Sequence, residues 1–123
     1  MKGARKRLGD AGEKIAAREL ARRGYTLHER NWRCPEGELD IVAEQSRSLV
    51  FVEVRTRRGN QFGTPEESIT PTKRIHLIAA AQAYLQGHSL ENRDWRIDVV
   101  AIEMSANGKL IRVDVFENAV EGN

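Results

Sequence analysis

Hydrophobic and polar positions alternate most clearly between Gly37 and Arg57, and the rest of the chain arranges itself around that stretch. Gly37-Glu-Leu-Asp-Ile-Val-Ala43 and Leu49-Val-Phe-Val-Glu-Val-Arg55 are rich in branched and aromatic residues, and a wholly polar break, Glu44–Ser48, separates them. This predicts two strands joined by a short turn. Side chains two apart in a strand share a face. The spacing therefore puts Glu38 and Asp40 on one face of the first strand and Leu39, Ile41 and Ala43 on the other. In the second strand it groups Glu53 and Arg55 with Leu49 and Phe51, opposite Val50, Val52 and Val54.

Upstream, Glu13, Ala16, Ala17, Leu20 and Gly24 recur at helical spacing, which predicts a helix over Leu8–Arg23, with Asp10 near its start and Gly24 stopping it. Residues 1–7 read as a loosely ordered basic arm. Tyr25–Trp32 alternates as a strand, with His28 a surface residue of it, and Cys34-Pro35-Glu36-Gly37 is the turn that follows. The aperiodic stretch 58–67, with Gly59, Gly63 and Pro65, reads as a loop. Thr70 and Pro71 then have the N-cap and first-turn chemistry of a helix that runs to about Gln86. Its residues fall into two stripes. One is Ile75, Ile78, Ala79, Gln82 and Leu85, with Gln82 expected to bond the sheet edge or a water; the other is Leu77, Ala81 and Tyr84. Trp95–Glu103 and Leu110–Phe116 read as strands around the turn Ser105–Gly108. Residues 118–123 read as a flexible tail. The order helix, three strands, helix, two strands predicts an α/β single domain over 1–123, a mixed central sheet flanked by helices.

Within that frame the acids stand out. Asp40 and Glu53 lie in otherwise apolar strands, where an uncompensated charge costs several kcal/mol or more. Each needs a cation: a metal ion, an Arg or a Lys. Two carboxylates about 4 Å apart repel by roughly 4 kcal/mol at an effective dielectric of about 20. A divalent ion reverses that sign, and oxygen ligands without Cys or His favour Mg²⁺ or Mn²⁺. Glu13 falls at the edge or centre of the first helix's packing stripe.

Composition narrows the class further. No apolar run approaches the roughly 20 residues that span a membrane. Cys34 is the single cysteine of the 123 residues, which excludes an internal disulfide and points to a reducing, cytoplasmic compartment. The net charge is +2, but residues 1–74 carry sixteen Lys and Arg against eleven Asp and Glu, whereas residues 75–123 carry four against seven. The basic excess of the first part suits an anionic partner, with nucleic acid the leading choice. The residues placed to meet it are Arg5, Lys6 and Arg7 of the arm, Arg57, Arg58 and Phe62 of the loop, and Lys73 and Arg74, cations in the first turn of the second helix, where the dipole opposes them.

Three pieces together, Gly12-Glu13 on a helix, Gly37-Glu-Leu-Asp40, and Val50-Phe-Val-Glu-Val-Arg55, resemble the PD-(D/E)xK nuclease superfamily. The likeness is greatest to the uncharacterised bacterial YraN-like family and extends distantly to archaeal Holliday-junction resolvases. It covers Gly9 to about Phe116 and includes Phe62-Gly63 and Thr70–Arg74. It implies a restriction-endonuclease-like fold, with Asp40 and Glu53 as metal ligands, joined by the carbonyl of Val54, and Glu13 as an accessory acid. The implied activity is metal-dependent cleavage of DNA, branched or otherwise structured. Resolvases cut two strands and pair up, so the resemblance also allows a homodimer.

The superfamily motif usually ends in Lys, and this chain has Arg55 there. Arg stays charged at any accessible pH and cannot serve as a base, although it can hold a phosphate. Two readings follow. In one, Asp40 and Glu53 bind metal and Arg55 holds the phosphate. In the other, Arg55 neutralises the acids by a salt bridge and the fold serves as a non-catalytic module that binds nucleic acid or protein.

Overall fold

The computed structural model describes residues 2–59 and 63–120, with side chains described from residue 8 onward. Helix α1 (Lys2–Arg22) leads into strands β1 (Thr26–Cys34), β2 (Gly37–Gln45) and β3 (Ser48–Arg58). A single 3-10 turn (Glu66–Ser68) and helix α2 (Pro71–Gly87) follow, then β4 (Trp95–Met104) and β5 (Leu110–Val120). The five strands form one sheet in sequence order. Only β3 and β4 are parallel, joined by the crossover through α2; every other neighbouring pair is antiparallel. The expected element order and mixed sheet are found.

The sheet carries an apolar layer on each face. Under α2 lie Leu39, Val42, Leu49, Phe51, Ile97 and Val99 with Leu77, Ala80, Ala81, Tyr84 and Leu85 of the helix. Under α1 lie Ile41, Ala43, Val50, Val52, Val100 and Ile102 with Ala16, Leu20 and Tyr25. Leu49 and Phe51 are thus opposite Val50 and Val52, as the alternation requires. The β2–β3 turn is two residues, Ser46 and Arg47, both with positive φ (50° and 71°), the geometry whose twist suits a hairpin.

Several expectations give way. Residues 2–7 are not a loose arm: α1 begins at Lys2, because Lys and Arg are good helix formers and Gly9 does not break the run. Asp10 therefore sits inside the helix. The side chains of Arg5, Lys6 and Arg7, and Phe62, lie outside the described residues. β1 starts at Thr26 and continues past Trp32 to Cys34, which ends the strand half-buried, its thiol directed at the carbonyl of Gly37 at 3.4 Å. The C-terminal residues are not all tail: β5 runs to Val120, which is buried and pairs with Ile97. On α2 the buried stripe is Leu77, Ala80, Ala81, Tyr84 and Leu85; Ile75 is 65% exposed and Gln82 is exposed, so Gln82 does not serve the sheet. Leu39 shares its layer with Val42 rather than with Ile41 and Ala43, so β2 changes pleat between them.

One contact fixes how α1 meets the sheet. A Cβ on Gly12 would stand 2.1 Å from Thr56 Oγ1 and 3.2 Å from Thr56 Cβ on β3. A mid-helix glycine costs about 0.5–1 kcal/mol relative to Ala, and here that cost permits close helix–strand approach. Gly12→Ala is expected to lose about 1–3 kcal/mol in a urea melt through overpacking, and Thr56→Ala in the same protein to restore most of it. A Gly12→Ala protein as stable as the parent would contradict this packing.

Candidate metal and phosphate site

The ladder between β2 and β3 ends at Ile41–Val52, and the next residues along are Asp40 and Glu53. There the strands splay. Asp40 Oδ2 accepts from the Val54 amide at 2.8 Å, a side chain taking the place of a strand hydrogen bond. The splay and the pleat change beside it open a cleft of about 670 Å³, whose lining includes Glu13, Asp40, Glu53, Arg55, Arg57 and Lys73. The four expected site residues, Glu13, Asp40, Glu53 and Arg55, therefore line one cleft, with Arg57 and Lys73 among them.

Its electrostatics are lopsided. Glu53 is 2% exposed, and its Oε1 is buried without a hydrogen-bond donor. Burial first and the Glu53 charge second push the Asp40 carboxyl up to about 7. With both groups charged Glu53 Oε1 has no donor, and a proton on Asp40 would supply one. Glu13 is raised as well, by burial and then by Asp40, while Arg30 Nη2 at 3.4 Å from Glu13 Oε1 offsets part of the shift. The cleft thus buries two acids side by side, Asp40 and Glu53, with a third, Glu13, at its wall.

Those cations are unequal. Arg55 Nη1 donates to Glu53 Oε2 at 3.2 Å, Nε to Ser68 Oγ at 2.8 Å and Nη2 to the Ser68 carbonyl at 3.1 Å. Lys73 Nζ stands 3.6 Å from the same Glu53 oxygen. Arg58 is spent elsewhere, its Nε donating to the Ala106 carbonyl at 3.1 Å in the β4–β5 turn. Arg74 donates to the Ala119 carbonyl at 3.4 Å and lines a different groove, with Glu66, Ile69 and Phe116. The cleft does not gather Arg58 or Arg74. His28 is a surface strand residue, 3.0 Å from Glu44.

Ser68, which holds Arg55 from the turn before α2, was not among the expected site residues; it lies in an aperiodic segment and carries no sequence signal. Arg30, the partner of Glu13, is equally silent because its role depends on α1 lying against β1.

Among the described residues, no three or more His, Cys, Asp or Glu gather closely enough to hold a metal. Mg²⁺ keeps several waters and takes one or two carboxylates. Asp40 and Glu53, with one buried oxygen left without a donor, fit such an ion, and Glu13 stands outside that pair. Among the described residues no helix is long and apolar enough to cross a membrane.

The chain is similar along almost its whole length to proteins of several bacteria. It is 53% identical over 122 residues to a UPF0102 protein of Roseiflexus castenholzii, covering 98% of each chain. It is 45% identical over 116 residues to one of Dehalococcoides mccartyi, covering 94% of each. With one of Moorella thermoacetica it shares 46% over 115 residues, 94% of this chain and 96% of that one. The family model described as "Uncharacterised protein family UPF0102" matches residues 12–102, from the glycine beside Glu13 to near the end of β4, and the chain belongs to that family.

Proposed function

We propose that this protein is a metal-dependent nuclease of the PD-(D/E)xK type, with a restriction-endonuclease-like fold, acting on DNA. The observation that carries this reading is the unpartnered, buried Glu53 Oε1 beside an Asp40 carboxyl pushed to about 7. Both nearby cations, Arg55 and Lys73, approach Glu53 Oε2, and Oε1 is left without a donor. Asp40 and Glu53 would hold Mg²⁺ or Mn²⁺. Such an ion, when bound, supplies positive charge for a phosphodiester under attack and activates water. The chain's own contribution is positional. The Val54 amide orients Asp40, Arg55 fixes one oxygen of Glu53, Glu13 adds an acid at the cleft wall, and Arg57 and Lys73 offer positive charge to a phosphate chain.

The Arg55–Glu53 ion pair at 3.2 Å favours the second reading, a non-catalytic module that binds nucleic acid or protein. A magnesium and manganese titration followed by thermal melting separates the two. A nuclease site gains several degrees on metal binding and then cleaves junction, flap or linear DNA in a screen; an ion-paired module gains nothing.

Binding itself has a distinct signature. Each phosphate neutralised contributes about −0.9 to the log–log dependence of affinity on salt for duplex DNA. Affinity for a four-way junction is expected to fall steeply from low to moderate salt, and deleting residues 1–7 to flatten the slope by a few units at most. An affinity independent of salt would remove nucleic acid as the partner.

A further inference from the structure

We propose that Lys73, rather than Arg55, is the cation that meets the reacting phosphate, and that Arg55 is a positioning residue that fixes Glu53. This inference rests on the nuclease reading and assigns its work among the cations of the cleft.

Arg55 is committed. Its three guanidinium nitrogens each hold a protein oxygen, two of them on Ser68 and one on Glu53. Ser68 Oγ in turn donates to the Pro65 carbonyl, so the arginine is tied into the turn that precedes α2. Three of its five N–H groups are thus engaged, so re-aiming the whole fork at a phosphate would mean giving up these bonds. The guanidinium thereby locks one Glu53 oxygen and leaves the other buried and bare.

Lys73 is held differently. Its backbone amide is capped by Thr70 Oγ1 at 3.1 Å, which fixes the start of α2 over the cleft, while among the described residues its ammonium has only the 3.6 Å approach to Glu53 Oε2. Its side chain is 34% exposed and lines the cleft. A lysine in the first turn of a helix is opposed by the dipole, and a phosphate beside it relieves that opposition. A cation taking up the charge of Glu53 would loosen the one ion pair that restrains the ammonium. Its three donors could then turn to a phosphate, while Arg55 keeps its two bonds to Ser68. Among the other cations, Arg30 is paired with Glu13 and Arg58 with the β4–β5 turn, while Arg57, which also lines the cleft, adds charge for the phosphate chain beside it.

The test uses the full chain and a labelled four-way DNA junction, with calcium for binding and manganese for cleavage. Lys73→Met is expected to flatten the salt dependence of junction affinity by about 0.9 and to slow any cleavage roughly 100-fold or more. Its calcium-induced rise in melting temperature should be at least that of the parent, because the ammonium no longer competes for Glu53. Lys73→Arg should recover the slope. Arg55→Met should weaken the calcium midpoint and leave the slope at the parent value, with Arg55→Lys recovering part of the midpoint. The proposal is overturned if Lys73→Met keeps the parent slope, or if Arg55→Met flattens it instead. A parent that binds calcium and junction but cuts nothing ends the nuclease reading, while the slope of Lys73→Met still decides whether Lys73 meets the phosphate. A parent that does not bind the junction overturns both.

Discussion

Asp40→Asn is expected to remove metal-dependent stabilisation and cleavage and, in the same protein, to raise the metal-free stability at pH 8. The amide keeps the size of the side chain, and its oxygen can still accept from the Val54 amide at the 2.8 Å position. What disappears is a carboxylate whose charged form is disfavoured by burial and by Glu53. A rise from 3.8 to about 7 corresponds to an upper bound of about 4 kcal/mol, reduced in practice because Asp40 and Glu53 titrate together. The sign follows from proton counting. Between the unfolded value near 4 and about 7 the folded protein holds more protons than the unfolded chain. This group's contribution to stability is therefore largest below that window, falls as pH rises through it, and becomes a full penalty above pH 7. Metal-free melts should show the parent losing stability from pH 5 to pH 8 and Asp40→Asn losing less. Metal should reverse the ranking at pH 8, because bound metal replaces the proton. If Asp40→Asn is the less stable protein at pH 8 without metal, Asp40 is already neutralised by the protein and the metal reading falls. Glu53→Gln should behave differently. It relieves Asp40 but takes away the buried charge that Arg55 at 3.2 Å and Lys73 at 3.6 Å both face, so the two effects oppose each other.

How far the sequence discloses this site depends on whether the controlling contact is local. The hairpin Gly37–Arg57 is legible because two β-rich runs flank a polar break, and the α2 start because Thr70 Oγ1 accepts from the Lys73 amide three residues on. Alternation also places Glu53 and Arg55 together correctly. It fails at Asp40. The carboxylate bonds the Val54 amide, fourteen residues away, and the pleat of β2 changes there, so Leu39 leaves the layer of Ile41. The period-2 rule assumes an unbroken ladder, and the ladder ends at the site. The N-terminal turn of α1 is hidden for another reason: a run of Lys and Arg reads as a charged arm although each residue is a good helix former. On α2 two apolar stripes compete, and the small Ala80 and Ala81 settle which one lies on the sheet, leaving Ile75 outside. Arg58 and Arg74 look like phosphate contacts in the sequence because their acceptors, the carbonyls of Ala106 and Ala119, are 48 and 45 residues away.

Asp98→Ala is expected to cost about 3–5 kcal/mol, the largest loss of stability from any single side chain considered. Asp98 is 0% exposed on β4 and carries four donors. Arg96 Nε and the Asn118 amide reach Oδ1, each at 2.9 Å, while the Tyr25 hydroxyl at 2.7 Å and Arg96 Nη2 at 3.2 Å reach Oδ2. The acid thus ties together the exit of α1, the parallel strand β4 and the end of β5, and it explains why β5 continues beyond Glu117. Truncating it strands a mostly buried guanidinium, which is the expensive way to break such a group. Tyr25→Phe removes one bond and should cost only about 0.5–1.5 kcal/mol, or somewhat more for a charged acceptor. It also removes a phenol that burial, and then Asp98, push up to about 12, so an alkaline absorbance titration identifies the group directly. Arg96→Ala combined with Asp98→Ala should lose less than the two single changes added, since the second change removes the charge that the first leaves stranded. Urea melts of the four proteins measure that coupling. Strict additivity would mean that Arg96 is held by its other neighbours, Gln45 at 2.5 Å and Glu117 at 4.0 Å, and that Asp98 is not the centre of the network.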